Sequence, residues 1–250
     1  MDTALFSPSV LFQDEDNEER DIEEREMQQH EQFVQRTHIF PGMVLTIREF
    51  SFHRFNANLL WPGTFTFCDW LSQNKSLVEG QRILELGSGT GALAIFIHKS
   101  FGVDITTSDV DDKEVEENIA YNCKANEVNV LPHMRHTWGE TFPVPEPNWD
   151  LILANDILLY VKQYPNLIKT LSFLLKSYKP NSAADGTSKY KKIAIASEEE
   201  LQLQKPLFLM SWRRRIGGDE GLFFSGCEEA GLIVKHVGSR VYCISPGIDA

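Results

Sequence analysis

The sequence predicts an α/β fold on a mostly parallel sheet, from three observations. Strand-like and helix-like segments alternate from residue 82 to residue 178. A glycine turn, Gly87-Ser-Gly-Thr-Gly91, joins the first of these strands to the helix after it. Two short apolar runs around Gly238-Ser239 close the chain as a hairpin. Alternating strands and helices imply parallel strands with crossover helices, and a final hairpin adds one antiparallel strand.

The elements follow in order. Residues 1–13 carry no periodic pattern, and Asp14 to Gln35 is rich in Glu, Arg and Gln with few apolar positions. Such a segment reads as a disordered or solvated helical arm, because it has no face to bury. The division expected is an arm over 1–35 and a folded domain with an N-terminal cap over 36–250. Gln35 to His53 alternates (Val44, Leu45, Ile47) and reads as one or two strands. Leu60 to Leu71 reads as a helix with Pro62 in its first turn. Strands are expected near 82–86, 103–108, 130–136 and 150–155, and helices near 90–100, 112–126 and 163–178. Lys192-Ile-Ala-Ile-Ala-Ser197 reads as a fifth strand. Glu220 to Ala230 is a helix that Gly231 closes. Leu232 to Val237 and Arg240 to Ile244 form the hairpin, with glycine first in its turn.

Composition narrows the function. The chain has 250 residues, 42% hydrophobic and 24% charged, which is ordinary for a soluble protein. No apolar run approaches the ~20 residues that span a bilayer, and no basic segment followed by an apolar one marks a secretory leader. Cys68, Cys123, Cys227 and Cys243 lie far apart, without the spacing of a zinc site. They read as buried free thiols of a reducing, cytoplasmic or nuclear compartment. No metal is expected: His133 and His136, three apart in a strand, face opposite ways. The net charge is −12, and residues 14–26 hold nine carboxylates and two arginines. A phosphate backbone needs a basic face, so a nucleic-acid partner is not expected. The one basic cluster, Arg213-Arg-Arg215, reads as a solvated turn or a contact for an acidic partner. Oligomeric state is not legible.

The glycine turn lets a ligand touch bare backbone and meets it with the free N–H groups of a helix start. Gly87, Gly89 and Ala92 also satisfy the dinucleotide pattern, with Asp109 about 20 residues on to hold ribose hydroxyls. Glu85 tips the balance. A carboxylate beside the turn repels a pyrophosphate but suits the ammonium and sulfonium of S-adenosylmethionine.

With Glu85 in place, the chain resembles class I, seven-strand S-adenosylmethionine-dependent methyltransferases, and within them the lysine-methyltransferase-like group. The residues that carry the resemblance are Leu59-Leu-Trp-Pro-Gly63, Ile83-Leu-Glu-Leu-Gly-Ser-Gly-Thr-Gly91, Thr107-Ser-Asp109, Thr137-Trp-Gly139 and Asp150-Leu-Ile-Leu-Ala-Asn-Asp156, in the family's order. It implies a Rossmann-like, mostly parallel seven-strand sheet with a C-terminal antiparallel hairpin. It implies S-adenosylmethionine as donor and methylation of a nitrogen, that of a protein lysine first.

Ligands of open parallel sheets lie beyond the strands' carboxyl ends. The donor site is therefore expected at Glu85, Gly87, Ser88, Gly89, Gly91, Asp109, Trp138, Ala154 and Asn155. Trp138 offers a flat face to adenine, and the resemblance places it there and sets Trp61 against the donor. The candidate catalytic residues are Asp156 and Tyr160. Relatives carry Asp-x-x-Tyr after the fourth strand; here the run is Asp156-Ile-Leu-Leu-Tyr160, so Leu159 stands in the tyrosine's place. Asp156 equally reads as a helix N-cap with Asn155. A small-molecule N-methyltransferase, a scaffold that has lost activity and a nicotinamide-dependent oxidoreductase remain open at this point.

Overall fold

The computed structural model describes residues 33–180, 190–194, 200–213 and 220–247. The acidic segment and Arg214-Arg215 lie outside the described residues.

The chain opens with a hairpin, β1 (Phe33–Phe40) and β2 (Met43–Phe50), joined by Pro41-Gly42 with Gly42 at φ +74°. Leu45 and Ile47 are fully buried, so alternation turns one face of β2 onto the core. Helix α1 (Gly63–Gln73) follows, then β3 (Ile83–Leu86), α2 (Ala92–Phe101), β4 (Ile105–Asp109), α3 (Lys113–Ala125), β5 (His133–Arg135) and β6 (Leu151–Asn155). Helix α4 (Tyr164–Lys176), strands β7 (Tyr190–Ala194), β8 (Glu200–Gln204) and β9 (Leu207–Ser211), helix α5 (Glu220–Glu229) and strands β10 (Leu232–Gly238) and β11 (Val241–Pro246) complete it.

The main sheet has seven strands in the order β10-β11-β9-β6-β3-β4-β5, with β11 antiparallel to both neighbours and the pairings from β9 through β5 parallel. Its strands feed two cores by alternation. Ile83, Leu151, Leu153 and Leu209 pack under α1, α2 and α3 with Phe67, Ile95 and Ile119. Leu84, Ile152, Phe208 and Met210 pack under α4 and α5 with Leu171 and Phe223. Burial on both faces is why these strands read as unbroken apolar runs.

One expectation is corrected. The strand expected over Lys192 to Ser197, of which 195–197 lie outside the described residues, is not the fifth strand of the sheet; the strand found there, Tyr190–Ala194, pairs with β8 in a separate two-stranded ribbon. The place beside β6 belongs to Leu207-Phe-Leu-Met-Ser211, buried at every position. Both runs are apolar and short, but the first begins Tyr-Lys-Lys, and a lysine pair does not suit a strand covered on both faces. Smaller differences follow from local chemistry. Pro132 delays β5, which keeps three residues, and the closing turn falls on Ser239-Arg240, since Gly238 pairs with Val241.

The hairpin is held by side chains. Asn118 and Asn122 on α3 and Asn126 at its C-terminal cap lie four apart, all buried. Asn122 Oδ1 accepts from Arg48 N at 2.7 Å and its Nδ2 donates to Arg48 O at 3.0 Å. Asn126 does the same for Thr46, with both bonds at 2.8 Å, and Asn118 Nδ2 also donates to Arg48 O. The open edge of β2 thus meets a column of amides that offers the donor and acceptor a strand would have offered. Glu49, 2% exposed, pairs with Arg36 and accepts from Leu60 N at 3.0 Å, which fixes the entry to Trp61-Pro62.

Candidate functional site

The carboxyl ends of β3, β4 and β6 open into a cavity of about 320 Å³. Its wall includes Trp61, Glu85, Gly87, Ser88, Gly89, Asp109, Trp138, Asn155, Asp156 and Tyr160, so residues expected from five separate stretches of sequence meet in one place. Gly91 and Ala154 stand behind the wall. Gly91 starts α2 at φ +76°, where a Cβ would press on Ile119, and Ala154 is fully buried under α4.

The glycine turn is shaped as a cradle. Gly87 and Gly89 sit at φ +66° and +53°. A Cβ on Gly89 would find nothing nearer than the Ala57 carbonyl oxygen at 4.0 Å, so it would point into open cavity. Above Gly87, the indole of Trp138 passes 3.5 Å from the place a Cβ would take. Ser88 ties the turn to the sheet, because its hydroxyl accepts from Ser108 N at 3.1 Å.

Two carboxylates sit at the floor. Glu85 shares Ile83's side of the sheet and faces α2; it is 3% exposed, and its Oε2 has no hydrogen-bond partner among the described residues. Burial pushes its carboxyl up to about 8, with the Asp109 charge adding to the effect and the Ser88 hydroxyl and Ala94 N–H holding it back. A buried carboxylate with an unused oxygen is costly by itself and is relieved by a bound cation. Asp109 Oδ2 accepts from Gly89 N at 2.7 Å and Oδ1 from Val110 N at 2.8 Å. Burial raises its carboxyl as well, against those two bonds. Its carboxylate therefore both shapes the turn and keeps lone pairs for a ligand.

Asp156 closes the β6 end, with φ +51° and 4% exposure. Its Oδ2 accepts from Gly63 N at 3.1 Å and its Oδ1 from Arg213 N at 3.4 Å. It is a helix cap, but of α1, 93 positions away, rather than of the helix that follows it. A Cβ on Gly63 would collide with this carboxylate, which explains the glycine in Leu59-Leu-Trp-Pro-Gly63. Asn155 Nδ2 donates to Thr64 Oγ1 at 2.9 Å on the same helix start. Leu159 lines the cavity, while Tyr160 is 50% exposed at its mouth and accepts from Asn56 Nδ2.

Sequence reasoning missed one stretch of the wall, the arch, and the roles of several side residues. Arg54, Phe55, Asn56 and Ala57 arch over the glycine turn, and His136, Leu159 and Gln163 add to the sides. The arch is irregular, so no periodicity marks it. Its one signal is Asn56, a residue type tolerant of the left-handed backbone it adopts at φ +58°.

Residues 40–185, more than half of the chain, match the lysine methyltransferase family. The chain belongs to that family. Among similar curated proteins, the protein N-lysine methyltransferase METTL21A of Danio rerio is 32% identical over 126 residues, covering 47% of this chain and 55% of the relative. The protein N-terminal and lysine N-methyltransferase efm7 of Aspergillus fumigatus is 27% identical over 156 residues, covering 57% of this chain and 60% of the relative. The chain thus spans little more than half the length of these curated relatives. Among solved structures, the T. thermophilus 16S rRNA N2 G1207 methyltransferase RsmC, in complex with AdoMet and guanosine, superposes with a TM-score of 0.55 at 14% identity. That match covers 86% of this chain and 50% of RsmC, and shows a shared fold.

Proposed function

We propose that the chain is an S-adenosylmethionine-dependent methyltransferase whose acceptor is a protein lysine nitrogen. The observation that carries this reading is Glu85: a buried carboxylate, with one oxygen unpartnered, at the floor of a cavity reached over bare glycine backbone. That floor suits a cationic amino-acid group and repels a pyrophosphate, which favours a methyl donor over a nicotinamide dinucleotide. The names of the two curated relatives, both lysine methyltransferases, support the acceptor class.

The residues divide the work by position. Glu85 pairs with the donor's ammonium, while Gly87 and Gly89 let its chain lie against the turn. Asp109 would accept from ribose hydroxyls and Trp138 would cover adenine, with Trp61 lining the same cavity. When bound, the donor would supply a methyl carbon on positive sulfur, and a lysine amine that has already given up its proton would take that methyl as the C–S bond gives way to C–N. The chain's own task is to align the two and keep water out. Asp156 holds the start of α1, and with it Trp61, in place. Tyr160 stands where an incoming lysine would pass. No helix of the described residues is long and apolar enough to cross a membrane. The reading sets the enzyme in the cytoplasm, or the nucleus as well, acting on proteins and not on nucleic acid.

Two measurements test it. Titration calorimetry with S-adenosylmethionine, against a nicotinamide dinucleotide as control, should show binding of the first alone. Incubation with methyl-labelled donor and a cell extract, followed by hydrolysis, should yield labelled methyl-lysine from the protein fraction. Label only in small molecules would favour the small-acceptor reading, and donor binding without transfer would favour a scaffold.

A further inference from the structure

Asn56 joins three parts of the cavity's architecture. Its own N–H donates to His53 O at 3.0 Å, which sets the tight turn at the top of the arch. Its carbonyl oxygen accepts from Trp61 Nε1 at 3.3 Å. Its side-chain amide donates to the Tyr160 hydroxyl, which belongs to the opposite wall, 104 positions away. The next residue, Ala57, is the one whose carbonyl stands over Gly89. The arch is anchored at its far end by His53, whose Nε2 lies 3.4 Å from Asp112 Oδ2 at the start of α3. It therefore runs from the β4 side of the cavity to the β6 side, and the Asn56–Tyr160 bond fastens it there.

We infer that Asn56 is a positioning residue of the donor cavity, and that its bond to Tyr160 is the clasp that holds the arch closed over a bound donor. The inference rests on the donor reading above. The carbonyl fixes Trp61 and the amide fixes Tyr160, so the donor-side indole and the acceptor-side phenol are set by one residue. The bond sits at the rim, where Tyr160 is half exposed, so it opens and closes without disturbing either core. A donor entering or a product leaving beneath Ala57 must part the clasp, or wait until it parts.

The test uses the full chain and S-adenosylhomocysteine, with association and dissociation rates read by stopped flow and melting read on the same preparations. Tyr160→Phe deletes the hydroxyl and keeps the ring. Asn56→Gly deletes the amide, and glycine keeps the left-handed backbone. Each should speed dissociation about fivefold, the size expected for one net hydrogen bond. The double variant should be no faster than either single one, because both remove the same bond. Asn56→Asp should return dissociation to within about twofold of the wild type, since its carboxylate accepts from the Tyr160 O–H. Melting should hardly move in any of them. Dissociation unchanged in both single variants, or additive effects in the double, would overturn the clasp. A wild-type chain that binds neither S-adenosylhomocysteine nor S-adenosylmethionine would overturn the donor reading itself, and the clasp with it.

Discussion

Replacing Asp156 by alanine removes two backbone partners at once. The Gly63 N–H, first of helix α1, loses its acceptor at 3.1 Å, and the Arg213 N–H loses one at 3.4 Å. A buried donor left unpaired costs about 1–3 kcal/mol, and the longer second bond adds little. Alanine must also adopt φ +51°, where aspartate is better tolerated, at a cost of about 1 kcal/mol. The expected loss is therefore roughly 2–4 kcal/mol, or about 5–15 °C in melting temperature for a domain of this size. Asp156→Asn keeps an oxygen for Gly63 and should lose less than half as much. Asp156→Gly accepts the backbone angle but not the helix, and should fall between. Because the start of α1 carries Trp61-Pro62, transfer per folded Asp156→Ala molecule should drop about tenfold or more, ~1.4 kcal/mol of barrier. Calorimetric melting and labelled-methyl turnover on one preparation give both numbers. Alanine melting within about 2 °C of the wild type would refute the capping argument, and normal turnover per folded molecule would remove Asp156 from the reaction.

Three further outcomes follow from the cavity. Gly89→Val should abolish donor binding in calorimetry while costing about 1–2 kcal/mol of stability, since its side chain enters open cavity but its backbone stays left-handed. Asp109→Ala should weaken S-adenosylmethionine and S-adenosylhomocysteine in parallel, about ten- to hundredfold, as loss of a charge-assisted bond predicts; one ligand weakening alone would argue against the ribose. In the donor-free fold burial raises the Glu85 carboxyl to about 8, against an ordinary value of 4.5, and a bound ammonium draws it back to the ionised form. Between those values the folded form binds the extra proton, so this group's contribution to stability falls as pH rises and is flat above the window. Glu85→Gln should therefore gain melting temperature over the wild type from pH 5 to pH 8.5 while losing donor affinity, and a constant difference across that range would count against the burial argument.

Much of this was legible because the signals are local. The glycine turn, Glu85 and Asp109 all fall at strand ends, and strand ends show as abrupt stops in apolar runs. The helix after Pro62 and the hairpin at the C-terminus carried their own punctuation. What stayed hidden depends on contacts remote in sequence. Asp156 read as a catalytic candidate or as the cap of its own helix; only the fold shows that it serves α1, and that Gly63 is small to admit it. The run at 207–211 lay beyond the strand expected at 192–197, and choosing between two apolar runs requires knowing which is covered on both faces. Asn56 gives no periodic signal at all, because an arch over a cavity has no repeating face to bury.

The column of Asn118, Asn122 and Asn126 has a consequence for exchange with solvent water. Thr46 and Arg48 turn their amides away from β1, and on an ordinary exposed edge such hydrogens are replaced by deuterium quickly. Here each is donated to a buried carboxamide, at 2.8 Å and 2.7 Å. They should exchange as slowly as the hydrogens of an interior strand and wait for α3 and the hairpin to part. The ribbon is then no loosely tethered flap: it keeps time with the helix that begins beside Asp112, and it carries the arch over the cavity along with it. A slip of one residue along this ribbon would present Leu45 and Ile47 to the amides in place of Thr46 and Arg48, and would bring the apolar faces out into water. Three identical side chains, one turn apart, thus choose the alignment of two strands that lie some seventy to eighty residues earlier in the chain.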